Sequence, residues 1–220
     1  MIRFLRKMIC SFTLLKIGAF KVFLNELKRQ IYSRDMQIGL EKNLENLEKN
    51  PIDCPIKYNL RQASVEDINE AFQKIRTESR GSAHHLLNRK WLHECGCGKW
   101  FIARTVDNND LCYFQCIISP EDNERLEKGF RSWFPELKPE EILFEGAYTY
   151  ENYRGNIIAG SVMFDLMEMY KNNGFKRLIL YIDKKSESQR QRIEGRGFTI
   201  FEEAALTKTM FIHKRKTKPC

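Results

Sequence analysis

An arginine–glycine pair carries the chain from an extended aromatic stretch straight into an amphipathic one: residues 148–160 read YTYENYRGNIIAG. A helix that begins there leaves its first backbone N–H groups without intrahelical partners. The helix dipole adds partial positive charge at the same place. Those first amides are therefore candidate donors to phosphate oxygens. Upstream, Glu145 lies between Leu143 and Ala147 on one face of an extended run. A carboxyl group among apolar neighbours resists ionisation and is a candidate proton acceptor. The plainer alternatives are an ordinary helix start after a turn, and a salt-bridged glutamate at a sheet edge.

Charge separates the body from the two ends. The 220-residue chain has a net charge of +8, of which +7 falls in residues 1–34 and +4 in the last eight residues, leaving about −3 between them. A slightly acidic body argues against a nucleic-acid-binding surface, and nucleic acid is not expected as a partner. The seven cysteines form no evenly spaced framework, which suits a reducing, cytoplasmic setting. Cys95 and Cys97 with Cys112 and Cys116 have C-x-C and C-x-x-x-C spacings, unlike the paired C-x-x-C knuckles of zinc sites. Ordinary thiols, and no metal, are the expectation.

Residues 2–31 place apolar side chains at three- and four-residue spacing, with Lys and Arg on and beside the stripe. This predicts a long amphipathic helix. Lys16 and Lys21 interrupt the apolar run too early for a transmembrane span, and no small-x-small cleavage site follows it. Two readings stay open. One is an in-plane helix on an anionic membrane surface, peripheral to the inner face; the other is a helix packed on its own body or on a second subunit. The polar segment to Pro55 reads as a linker with a short extended piece over 37–40, so the organisation is 1–55 helix and linker, 56–213 body, and 214–220 basic tail.

The body alternates strand and helix signals. Residues 57–62 read as a strand, and Ser64 followed by Glu66 and Asp67 reads as a helix start. A second helical stretch, 82–94, carries His84, His85, Trp91 and His93. Two apolar runs split by DNND, 99–106 and 111–119, predict a hairpin. A helix follows over 120–133. Strand 141–150, helix 157–170 ending at Asn172-Asn173-Gly174, and strand 177–183 predict a parallel crossover. A short helix over 187–194 and two final strands complete the order. The fold class is α/β (α+β-like): a mixed, mostly antiparallel sheet with helices on both faces, plus the N-terminal amphipathic helix.

That element order, together with YRGNIIA and RGF, resembles the GNAT superfamily of acyl-CoA-dependent N-acetyltransferases over roughly residues 57–212. The family's strand–helix turn reads Arg or Gln, two residues, Gly, one residue, then Gly or Ala. Arg154 and Ala159 match, and Gly155 fits the common Arg-Gly form. Ile157 stands where the middle glycine is usual.

The resemblance implies acetyl-CoA as co-substrate, with its diphosphate on the amides of Arg154, Gly155, Asn156, Ile157, Ile158 and Ala159, reaching Gly160. It also implies that the pantetheine arm lies along the strand edge at Ala147, Tyr148 and Thr149, and that a strand N–H receives the thioester oxygen. Glu145 is then the base that deprotonates the amine. The family's Asn and general-acid Tyr positions are held by Ser186 and Ile193, and Ile193-Glu194 matches a branch that lacks the Tyr. Ser188 or water then supplies the proton. The early helical region with His84, His85 and Trp91 usually borders the acceptor pocket.

The expected function is transfer of an acetyl or other acyl group to a primary amine. An amino sugar of an envelope glycan is the acceptor suggested by the basic N-terminal helix. The alternative is a non-catalytic binding or regulatory protein on the same fold, which Ile157 and Ile193 favour.

Overall fold

Strand β4 (Leu111–Ile118) is buried along its whole length, as expected of a strand covered on both faces. Its neighbours are β3 (Lys99–Thr105) and β5 (Glu141–Thr149). The computed structural model describes residues 32–48, 52–77, 83–130, 133–209 and 212–220. The other strands are β1 (Tyr32–Asn43), β2 (Tyr58–Gln62), β6 (Arg177–Asp183), β7 (Thr199–Thr209) and β8 (Ile212–Pro219). All eight form one sheet in the order β2-β3-β4-β5-β6-β1-β7-β8. Every adjacent pair is antiparallel except β5 and β6.

Helices cover both faces. On one side lie α1 (Val65–Thr77), α2 (Ala83–Glu94) and α3 (Asn123–Gly129), packing Ile68, Phe72, Trp91, Leu92 and Leu126 against Trp100, Phe114, Leu143 and Ile179. On the other lie α4 (Ile158–Asn172) and α5 (Glu187–Glu194), packing Ile158, Val162, Leu166 and Ile193 against Ile38, Leu40, Phe144, Leu178 and Leu180. Ser64 starts α1 as the sequence predicts. Its hydroxyl accepts from the Asp67 N–H (3.2 Å), and its own N–H donates to the Asp67 carboxylate (2.8 Å), a reciprocal cap. Gly174, at φ +89°, ends α4 in the left-handed conformation that glycine adopts without steric cost.

Two sequence expectations are corrected. Residues 32–43 are not linker: β1 is inserted between β6 and β7, with Ile38 and Leu40 in the core. Its other face looks polar in sequence because it is covered differently. Glu41 pairs with Arg177, and Gly39 gives way to the rings of Tyr181 and Phe201, which stand 2.8 Å from where a Cβ would be. The basic segment 214–220 is not a free tail either. It forms β8 as far as Pro219, where alternating lysines mark an exposed sheet edge that resists further strand pairing. The amphipathic pattern over residues 2–31 lies outside the described residues. Among the described residues no helix is long and apolar enough to cross a membrane.

Candidate active site

β5 and β6 run parallel in register only from Glu141–Arg177 to Phe144–Leu180. Beyond Phe144, β5 leaves its neighbour. On its other side the pairing with β4 shifts between Phe114 and Cys116, so Gly146 and Ala147 fall outside the paired register of both neighbours. Gly146 has φ +64°, a β-bulge conformation that favours glycine.

Arg89, from the last turns of α2, fills the bulge. It is 6% exposed. Its Nε donates to the Gly146 carbonyl and its Nη2 to the Ala147 carbonyl, each at 2.6 Å. Consecutive carbonyls of a regular strand point in opposite directions; here the bulge turns both toward one guanidinium. Arg89 also lies 5.1 Å from the centre of the Tyr148 ring. Nothing in the sequence reading singled out Arg89. Its signal was a basic residue three positions before Leu92, a helical spacing that puts the two on one face.

Glu145 is half-buried beside this clamp. Burial pushes its carboxyl above the usual carboxylate range, against the opposing pull of the Gly146 N–H and the Arg89 guanidinium.

Further along β5, Tyr150 donates to the Cys112 carbonyl (3.2 Å), and the register continues through Thr149–Tyr113 and Tyr148–Phe114. Antiparallel alternation then turns the Thr149 carbonyl to the edge that has left β6, and the bulge frees the Ala147 carbonyl from the ladder. Both acceptors are taken by guanidinium groups of the chain itself: Ala147 by Arg89, and Thr149 by Arg154 Nε at 3.0 Å. Arg154 Nη2 also donates to the Tyr148 hydroxyl (3.0 Å).

The chain enters α4 through Ile157, at φ +59°, ψ −4° and 53% exposed. A β-branched residue in the left-handed region is a genuine outlier. The conformation is the one the usual glycine would supply. No side chain caps the helix. The Gly160 and Ser161 amides close onto the Ile157 carbonyl (2.8 and 3.2 Å). Tyr58 fixes this first turn from β2, with its hydroxyl 2.5 Å from the Asp165 carboxylate and 2.7 Å from the Ser161 hydroxyl.

Arg196 reaches the same turn from the loop after α5: its Nη2 stands 2.7 Å from where a Gly160 Cβ would be. Burial lowers its basicity, and among the described residues no hydrogen bond or ion pair engages the guanidinium. Lys42 anchors the loop by donating to the Arg196 carbonyl (2.6 Å).

The remaining candidates lie elsewhere. Ser188 is exposed on α5, and its carbonyl accepts from Arg192 (3.1 Å). Ile193 is buried in the core. His93 packs against the rings of Phe72 and Trp100, and Trp91 against Phe130 and Trp133; both serve the core. His84 and His85 belong to α2, but their side chains lie outside the described residues. Burial holds the thiols protonated, pushing Cys97 up to about 12, Cys112 to about 11, and Cys116 well above its ordinary value.

Comparison of the fold places it among known structures. Similar structures include a GCN5-related glucosamine N-acetyltransferase region of a fungal multi-domain GH3 β-N-acetylglucosaminidase (TM-score 0.58, 12% identity, covering 86% of this chain and 23% of that one). They also include a GCN5-related N-acetyltransferase from Sphaerobacter thermophilus (0.54, 13%, 90% and 56%) and a GNAT-family acetyltransferase from Colwellia psychrerythraea (0.51, 14%, 80% and 56%). The fold is that of the GNAT N-acetyltransferases. The chain spans less than two thirds of the length of each of these three structures. No protein-family model and no curated protein matches its sequence. In the GNAT fold of this chain, the strand that diverges is β5 and the helix it feeds is α4.

Proposed function

We propose that this chain transfers an acetyl or other acyl group from acyl-CoA to an amine by direct attack. The observation that carries the reading is the uncapped start of α4, set where β5 and β6 part, with the Arg196 guanidinium, unpaired among the described residues, against its first turn. An anion of diphosphate type fits that chemistry, because the helix amides and the guanidinium both attract negative charge. The amides of Gly155, Asn156, Ile157, Ile158 and Ala159 are the donors assigned to it; those of Arg154 and Gly160 already bond to the Glu151 and Ile157 carbonyls. The pantetheine arm is assigned to β5 at Ala147, Tyr148 and Thr149. Since Arg89 and Arg154 hold the carbonyls of that edge, the arm either uses N–H groups alone or displaces the exposed Arg154.

Glu145 is assigned the base role. Its raised carboxyl takes the proton that the amine must lose as it attacks the thioester. With Ile193 buried, no phenol stands at the acid position. The departing thiolate, from a thiol of pKa about 8.5, leaves with a proton from water or from Ser188.

The acceptor is a primary amine, with an amino sugar of an envelope glycan as the specific suggestion. That suggestion, and a peripheral site on an anionic membrane face or a second subunit, rest on the basic pattern of residues 2–31. Titration with acetyl-CoA, followed by thiol release on an amine panel, tests the proposal. Binding with release supports transfer. Binding without release favours the non-catalytic reading, to which the strained Ile157 and the self-capped edge of β5 both lend weight. Absence of binding removes the transferase reading and leaves the non-catalytic binding or regulatory one.

A further inference from the structure

We propose that Arg89 is a positioning residue for acyl transfer: it sets the direction and the donor strength of the Ala147 N–H. The inference rests on the transferase reading above.

The geometry begins with the peptide joining Gly146 to Ala147. No cis peptide occurs among the described residues, so the Ala147 N–H points opposite to the Gly146 carbonyl. That carbonyl points to Arg89 Nε at 2.6 Å. The Ala147 N–H therefore points away from the guanidinium. Ala147 also lies outside the paired register of β4 and of β6. A backbone donor turned out of the ladder, at the point where the sheet opens, is placed to receive charge that develops on a thioester oxygen.

Arg89 also strengthens that donor. A cationic hydrogen bond to a carbonyl polarises the whole peptide unit, so the N–H at its other end carries more positive charge. The guanidinium does this in a buried setting where screening is weak. It makes no ion pair among the described residues.

The same charge acts on Glu145. The groups that face this carboxyl are Arg89 from α2 and the Cys116 thiol opposite it on β4; the phenols of Tyr113, Tyr148 and Tyr150 surround the guanidinium. Burial keeps Cys116 and Tyr113 in their neutral forms. The Gly146 N–H and, after it, the Arg89 charge limit how far burial lifts Glu145.

Arg89→Gln keeps a donor and removes the charge; Arg89→Lys keeps the charge and removes the two-point clamp. Acetyl-CoA affinity, kcat on the best amine, the pH profile of kcat/KM and the Ala147 amide resonance are measured for each. The expected result for Arg89→Gln is a kcat lower by about 10- to 100-fold, with acetyl-CoA affinity within about 3-fold. Its acid limb moves to higher pH by about half to one unit, and the Ala147 amide proton shifts upfield. Arg89→Lys keeps the acid limb while kcat falls.

Arg89→Gln with kcat, acid limb and amide shift all unchanged would falsify the inference while leaving the transferase reading intact. Affinity that falls in step with kcat, with the acid limb unmoved, overturns it in favour of a purely structural role. A wild-type chain that binds no acetyl-CoA removes both.

Discussion

Leu40 of β1 faces Leu180 of β6 in the paired register, and Leu180 in turn faces Phe144 at the last parallel pair before β5 departs. The strand that looked like linker therefore supports the opening from behind. The fit is tight: Gly39→Ala would drive a methyl group into the rings of Tyr181 and Phe201, at 2.8 Å each. The expected cost is about 1–3 kcal/mol, read as a lower denaturation midpoint with an unchanged denaturant slope. A variant as stable as wild type would contradict the close packing.

Ile157 holds a left-handed conformation at φ +59°, which costs a β-branched residue about 1–2 kcal/mol. Ile157→Gly removes that cost but adds freedom to the unfolded chain worth about 0.4–1 kcal/mol. The net expectation is a small gain, up to about 1 kcal/mol. Loss of the exposed side chain beside the α4 amides should also tighten acetyl-CoA binding by calorimetry. Weaker binding in a stabilised variant would show that the isoleucine itself contributes a contact.

Arg196→Ala removes the guanidinium that stands against the Gly160 turn. Acetyl-CoA affinity should fall about 10-fold, the worth of one charge-assisted contact of about 1.5 kcal/mol. The salt dependence of binding should become shallower. Dephospho and diphosphate-free analogues, compared in parallel, should lose the difference between wild type and variant only when the diphosphate is absent.

Glu145→Gln tests the base. Thiol release should fall by about 10²- to 10⁴-fold, while acetyl-CoA binding stays close to wild type. In wild type the acid limb should lie above the ordinary carboxylate range, because burial raises the Glu145 carboxyl and only the ionised form accepts a proton. Retained turnover would reassign the role.

Asp67 titrates in the opposite sense. Burial opposes its ionisation, but hydrogen bonds from Arg61, Ser64 and Arg104 outweigh this and hold it well below the usual carboxylate range. Stability from this group is present above the ordinary Asp range and is lost as pH falls toward the folded-state value. Asp67→Asn should cost about 1–3 kcal/mol near neutral pH, and the gap from wild type should narrow as unfolding is measured toward pH 2. A constant gap would argue against linkage through this carboxylate.

Much of this was legible in the chain, where local chemistry and tertiary role agree. Ser64 and Asp67 announced α1, the DNND turn announced the β3–β4 hairpin, and the Arg-Gly step announced α4. Glu145 was visible because a carboxylate amid apolar residues is costly wherever it folds. β1 was hidden because half its surface is covered by an ion pair and two aromatic rings, leaving no apolar alternation to read. β8 was hidden because lysines on an exposed strand look the same as lysines on a tail. Arg89 was hidden because its partners are backbone carbonyls, which have no letter in a sequence. The bulge that presents them depends on Gly146, a residue that marks many other turns.

The place of β1 also has a consequence for synthesis. This strand leaves the ribosome well before the segments that flank it, which end at residues 183 and 209. At about 5–20 residues per second, residues 32–43 wait roughly 7 to 28 seconds for β6 alone. During that interval their backbone groups are open to water, to chaperones or to another nascent chain. Closing so distant a contact is also slow. The step that completes the sheet is therefore expected to be the last and slowest in maturation, and the one most exposed to failure when many copies are made at once.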